Sequence, residues 1–193
     1  NNSVLNMSNV IKAKGQEEID NLLNDSKEIE RYKLKHEDIL NLICSFEDVE
    51  KYFEEEKRKR LGITTEEIKD ITIRKGNFEK VLTPEKVQEY GLNCYQVKEL
   101  IEKSGEIEKY LTPEIIKACK MYSFVVKDLI EKTGNIEKYL TPKIKEYGVD
   151  ESDVTRLIIE TKKIRKYLNN PELLDEMGLE DWNISNLIKE EIK

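Results

Sequence analysis

Seven times in 193 residues the chain repeats one short pattern: an Ile or Val, a Leu-Ile-type pair three and four positions on, and a second apolar anchor at plus ten. The first anchors are Ile19, Ile39, Ile68, Val97, Val126, Val154 and Ile184, at spacings of 20, 29, 29, 29, 28 and 30. The plus-ten anchors are Ile29, Val49, Phe78, Ile107, Ile136 and Ile164, and the seventh would fall beyond Lys193. A fixed period of this length is the mark of stacked supersecondary units. It predicts how the chain is built and leaves the ligand to surface residues.

Hydrophobic residues make up 38% of the chain, low for a compact globule, yet a thin layered array buries only the faces between neighbouring units. Charged residues are also 38%, but their periodic arrangement argues against disorder. The net charge of −7 disfavours nonspecific binding to duplex DNA or to an anionic membrane, both of which need a basic face. Cys44, Cys94 and Cys119 form no paired spacing, which fits reduced, packed thiols and a reducing compartment. No stretch approaches the run of about 18 apolar residues that spans a membrane. Asn1 to Val10 lack a basic region followed by an apolar core, so no signal peptide is read there.

One period, Leu82 to Leu111, shows why the unit folds as helices. Thr83-Pro84-Glu85 is a helix start: Thr accepts from an orphan N–H, Pro loses nothing at the first helical position, and Glu faces the positive end of the dipole. The opening recurs at Thr112-Pro113-Glu114, Thr141-Pro142 and Asn170-Pro171-Glu172. Gly91-Leu92 is the expected left-handed cap with its apolar closure, repeated at Gly62-Ile63, Gly148-Val149 and Gly178-Leu179. Lys120-Met121 stands at that place in one copy, so either that helix runs on or Lys120 is strained. A second helix comes next, with Val97, Leu100, Ile101 and Ser104 on its inward stripe. Thr64 with Glu67, and Asp150 with Asp153, resemble capping boxes at its start. Gly76, Gly105 and Gly134 end it, and a short third element such as Ile107–Leu111 completes the unit.

The expected fold is therefore all-α, an α-solenoid of about seven short units forming a single array over residues 1–193. Residues 1–15 are expected to be an N-terminal cap and 171–193 a C-terminal repeat or cap, with Trp182 covering the open core end. The short first step, Ile19 to Ile39, implies a first connection without the Thr-Pro helix.

Chemistry has few candidates. His36 and Cys44 sit eight positions apart, about 12 Å along a helix axis, too far for a Cys/His nucleophile. Asp150, Glu151 and Asp153 lack the glycine-centred loop of a calcium site and read as a cap. No metal-ligand spacing and no phosphate-cradling glycine run occurs, so neither metal nor cofactor is expected and the chain is read as no enzyme. Two ladders stand out. Tyr32, Tyr52, Tyr110, Tyr139 and Tyr167 share one position, with Val81 in the remaining copy, and read as half-buried core. Arg31, Lys51, Lys80, Lys109, Lys138 and Lys166 precede them. These cations are a candidate binding ladder for an extended anionic partner, or a solvated row compensated by the Glu that precedes five of the six.

The order Gly-Leu, helix, Ile-x-x-Tyr-Leu, Pro-containing helix resembles the repeats of mitochondrial transcription termination factors, helical units of similar length that line a nucleic-acid groove. Leu82-Thr-Pro-Glu85 and Leu111-Thr-Pro-Glu114 look like the opening of plant-pathogen TAL effector repeats. Both families are basic where this chain is acidic, and the TAL diresidue loop is absent. The resemblance implies the α-solenoid class and brings no functional residue. The expected partner is a protein or peptide along the concave face, with RNA binding and a structural spacer as alternatives.

The period also implies modularity. Deleting Thr83–Leu111 removes one whole unit and is expected to leave a folded, less stable protein, whereas deleting about half a period brings unlike faces together and unfolds it. Circular dichroism melts of the two deletions check this; equal damage would point to a globular core.

Overall fold

The structure, a computed structural model, describes residues 11–12 and 14–193. Among them all regular structure is helical and there is no strand, as the period implies. The expected cap over residues 1–15 lies mostly outside the described residues. No described helix is long and apolar enough to cross a membrane.

Counting short 3₁₀ pieces with the α-helices, the elements are α1 Gln16–Leu23, α2 Ser26–Arg31, α3 His36–Ile43, α4 Val49–Tyr52, α5 Glu55–Leu61, α6 Thr65–Lys75 and α7 Phe78–Val81. They continue as α8 Pro84–Tyr90, α9 Cys94–Ser104, α10 Ile107–Tyr110, α11 Pro113–Ala118, α12 Ser123–Lys132 and α13 Ile136–Lys138. The last are α14 Pro142–Tyr147, α15 Glu151–Glu160, α16 Ile164–Leu168, α17 Pro171–Glu176 and α18 Asp181–Ile192. The chain divides into two compact units, Asn1–Val81 with α1–α7 and Leu82–Lys193 with α8–α18.

Each first helix starts as its sequence dictates. Thr83 and Thr112 accept from the backbone N–H three residues on, at 3.1 and 3.3 Å, with Pro at the first helical position. It ends in a left-handed residue: Lys33, Gly62, Gly91, Lys120, Gly148 and Gly178 have φ between 52° and 89°. The next N–H closes the turn onto the helix, as from Leu92 to Val87 O at 3.1 Å and from Met121 to Ile116 O at 2.9 Å. Lys120 therefore takes the strained alternative: α11 stops, and a lysine holds φ 52° where glycine would be unstrained.

In the Leu82–Lys193 unit the first helices form one row, α8 on α11 and α11 on α14, and the second helices form another, α9 on α12, α12 on α15 and α15 on α18. The inward ladder closes completely: Val97, Leu100 and Ile101, Val126, Leu129 and Ile130, and Val154, Leu157 and Ile158 all have no exposed surface. In the Asn1–Val81 unit, α1 packs on α2, α4 on α5 and α6 on α7 around Ile19, Leu23, Leu42, Ile43, Tyr52, Phe53 and Ile68.

Three details differ from the sequence reading. The first connection does keep a first helix: α2 lies 29 residues before α5 and ends in the same Lys33-Leu34 turn, so the missing piece is the short connector. Trp182 is half exposed, and the end of the last pair is filled by Leu179, Asn183 and Leu187. Lys127 lies off the inward stripe, where the period implies a solvated side chain, yet it is half-buried and ion-paired to Asp128 and Glu131.

Leu100→Ala, Leu129→Ala and Leu157→Ala should each cost about 2–5 kcal/mol in urea denaturation, while Lys98→Ala stays within about 0.5 kcal/mol. Lys127→Ala should cost more than Lys98→Ala, about 1 kcal/mol. Lys120→Gly is expected to stabilise by roughly 0.5 kcal/mol, the relief of left-handed strain less glycine's greater freedom when unfolded. A destabilised Lys120→Gly chain would show that the lysine side chain holds the turn.

Candidate functional site

The cation ladder rides on the short connectors, and the connectors explain its partners. From α7 onward burial is deeper at the tyrosine position than at the plus-ten anchor, while in α4 Val49 and Tyr52 are both fully buried. Tyr52, Tyr110, Tyr139 and Tyr167 are at most 5% exposed and Val81 is fully buried, whereas Ile107 and Ile136 are half-buried. A buried ring directs the preceding lysine outward and back towards the connector before it.

There three of the lysines meet a carboxylate. Lys80 Nζ lies 3.6 Å from Glu50, Lys138 Nζ 3.5 Å from Glu108, and Lys166 Nζ 2.7 Å from Glu137. The partner is thus the glutamate of the preceding connector, not the one adjacent in sequence. The clasp tightens along the chain. Glu50 meets Lys80, Glu108 also accepts from Asn135 Nδ2 at 3.3 Å, and Glu137 accepts from Lys163 at 2.9 Å, Lys166, and the Tyr167 hydroxyl at 2.9 Å. Those hydrogen bonds, Lys166 first, hold the Glu137 pKa down at about 2. Burial and the bond to Glu137 push the Tyr167 phenol up, and burial with nearby Glu108 and Tyr147 takes Tyr139 to about 12.

The remaining ladder members vary this scheme. Lys51 is 3.3 Å from Asp20, which also accepts from the Tyr52 hydroxyl; burial raises the Asp20 pKa, and the two hydrogen bonds outweigh it, leaving it lowered. Lys109 pairs with Glu106 at 3.9 Å and lies 5.2 Å from the centre of the Tyr110 ring. Arg31 is not a connector residue. It sits at the end of α2, in register with Arg60 of α5, pairs with Glu28 in its own helix at 3.3 Å, and is exposed. The six cations therefore do not form one equivalent row.

The catalytic candidates are engaged elsewhere. His36 bonds Glu67 at 2.8 Å, and Glu67 also completes the capping box with Thr64. Burial pushes the Cys44 thiol up and takes Cys119 to about 11, so neither is a ready thiolate. Asp150 caps α15 by accepting from Asp153 N at 2.9 Å, and buried Asp153 accepts from Ser123 at 2.6 Å, tying α15 to α12. Among the described residues no group of three His, Cys, Asp or Glu is placed to hold a metal.

One surface feature was missed. Tyr95, Tyr122 and Phe124 are 54, 57 and 49% exposed and touch one another, with ring centres 6.2 Å apart for Tyr95–Tyr122 and 5.8 Å for stacked Tyr122–Phe124. They stand at the starts of α9 and α12. The signal was present in the sequence: Tyr95, Phe124 and Trp182 occupy one register position, the second residue of the second helix. The flanking cations are neutralised locally, Lys98 by Glu102 at 3.5 Å and Lys127 by Asp128 and Glu131.

The chain matches no protein-family model, no curated protein and no solved structure.

A depressed carboxylate pKa stabilises the fold above its ordinary value and loses that contribution as pH falls through the lowered one. Glu137 should therefore add stability above its ordinary pKa of 4.5 and lose it towards pH 2. Urea midpoints of the parent are expected to fall more steeply over this window than those of Glu137→Gln, and the two should converge near its lower end. Parallel curves would mean that the clasp contributes nothing.

Proposed function

We propose that the chain is a non-enzymatic protein- or peptide-binding scaffold, an α-solenoid of six helix pairs preceded by α1. The observation that carries the binding reading is the exposed cluster of Tyr95, Tyr122 and Phe124. Water-exposed aromatic surface of this kind costs solubility and supplies the anchors that dominate protein interfaces. The two-row packing of α8–α11–α14 and α9–α12–α15–α18 supports the solenoid reading and gives the cluster a rigid base.

Aromatic rings also stack nucleobases, but such sites combine them with a positively charged track. Here Lys98 and Lys127 are paired beside the rings, and Lys80, Lys138 and Lys166 are paired between connectors. The peptide reading is favoured over RNA for that reason. Lys51, Lys109 and Arg31 likewise have carboxylate partners, so the ladder is assigned to holding the fold.

Panning a random peptide display library against the chain should yield ligands of roughly micromolar affinity. The combined Tyr95→Ala, Tyr122→Ala and Phe124→Ala variant should bind them at least about tenfold more weakly with an unchanged helical spectrum. Ligands indifferent to the triple substitution would remove the cluster from the interface. A single-stranded RNA bound submicromolar near physiological salt, with no peptide recovered, would reverse the assignment.

A further inference from the structure

The aromatic cluster does not stand alone on its edge of the fold. In the Leu82–Lys193 unit the second helices begin at residues 93–96, 122–125, 150–153 and 180–183, each counted from its N-cap. These sixteen positions hold five carboxylates, Asp150, Glu151, Asp153, Glu180 and Asp181, and no Lys, Arg or His. They also hold Tyr95, Tyr122, Phe124 and Trp182. Aromatic surface and negative charge therefore share one edge of the second-helix row.

Ser123 ties the two together. It stands between Tyr122 and Phe124, and its hydroxyl accepts from the Asp150 N–H at 2.9 Å and donates to Asp153 Oδ2 at 2.6 Å. The start of α15 is thereby held beside the stacked rings. Asp150 is exposed and Glu151 half-buried, and neither is in an ion pair with a described residue. The cations nearest in sequence are paired or turned to other grooves. Lys98 and Lys127 meet acids of their own helices, and Lys120 lines the α11–α14 groove with Glu114 and Glu146. Arg156, one turn into α15, lines the α15–α18 groove with Lys189 and Glu190. Helix starts are themselves positive, by roughly half a charge each. Those of α9, α12 and α15 together supply about 1.5 positive charges, against full negative charges on Asp150, Glu151 and Asp153. Asp153 sets its charge directly against the start of α12, through Ser123. The edge beside the rings is left negative.

Helix dipoles favour acids in a first turn, which accounts for the carboxylates of α15 taken by themselves. It does not account for three rings left in water beside them, on two helices that carry no acid in the first turn. An exposed aromatic face next to unpaired carboxylates is the complement of a guanidinium, whose plane stacks on a ring while its N–H fork reaches a carboxylate. An acidic or phosphate-bearing partner would meet repulsion at the same edge. We infer that the edge formed by Tyr95, Tyr122 and Phe124 with Asp150 and Glu151 binds an arginine-bearing basic segment of a partner protein. The inference rests on the peptide-binding reading above and gives that partner its chemistry.

The probe is a fluorescein-labelled synthetic peptide of about twelve residues, with arginines spaced among serines and leucines, and controls in which citrulline or glutamate replaces the arginines. Fluorescence anisotropy should show the arginine peptide bound, the citrulline peptide at least about tenfold weaker and the glutamate peptide unbound. The double variant Asp150→Asn/Glu151→Gln keeps a capping side chain on α15 and should weaken the arginine peptide at least about fivefold with an unchanged helical spectrum. Glu151→Gln alone, which leaves the cap untouched, should weaken it about twofold. Glu114→Gln/Glu146→Gln, in the α11–α14 groove, should leave it unchanged. Failure of the arginine peptide to bind, equal binding of either control, or indifference to both Asp150→Asn/Glu151→Gln and Glu151→Gln overturns the inference. So does a concentration-dependent dimer, seen by sedimentation, that Asp150→Asn/Glu151→Gln dissolves, because a second copy would then occupy the edge. Library ligands that depend on Tyr95, Tyr122 and Phe124, carry no arginine or lysine and bind the double variant as tightly as the parent would sink the inference and spare the peptide-binding reading. Ligands indifferent to the aromatic triple variant would sink both.

Discussion

The left-handed turn that ends each first helix is the constraint on which the rest depends. It reverses the chain within two residues and sorts the residues beyond it by depth. At Gly91 and Lys120 the turn sends Leu92 and Met121 into the core, and the chain re-enters helix a residue or two later. Tyr95, Tyr122 and Phe124 fall on the outer side of that re-entry and stay in water. The same hinge aims the second helix so that Val97, Leu100 and Ile101 meet the row behind them. A turn with two closing hydrogen bonds is a stiff device, and four of the six positions use the residue that takes it without strain.

What was legible in the sequence was whatever repeats within one helix. The i, i+3, i+4 stripe of the second helices, the Thr-Pro starts and the glycine stops all rest on spacings shorter than one element, where backbone geometry alone decides. Contacts that step from one pair to the next were harder to read. Glu137 and Lys138 are neighbours in sequence, yet Lys138 bonds Glu108 and Glu137 bonds Lys166. Tyr110 proved deeper than Ile107, because the connector is a single turn whose orientation is set by the pairs on either side. Size alone points Trp182 to the core, yet its register position is the one that Tyr95 and Phe124 leave exposed.

Electrostatics sorts the surface by how its charges are used. Along the connectors nearly every cation is used internally, and such exposed pairs add modestly to stability while removing positive potential. Along the first-helix row Lys117, Lys120 and Lys145 make no ion pair with a described residue, and Glu114 and Glu146 stand among them, so the two signs stay mixed there as well.

The clasp also has a direction. Lys138 and Lys166 reach backwards to a glutamate, and Glu108 and Glu137 wait forwards for a lysine, so the series reads head to tail like a row of couplings. At Ile164–Leu168 the forward half is missing. Arg165 stands where the earlier connectors carry glutamate, and it reaches instead to Glu191 of α18 at 3.2 Å. The change of sign turns the coupling inward: where the earlier connectors hold out a glutamate to the next, this one spends its charge on the helix that packs against it.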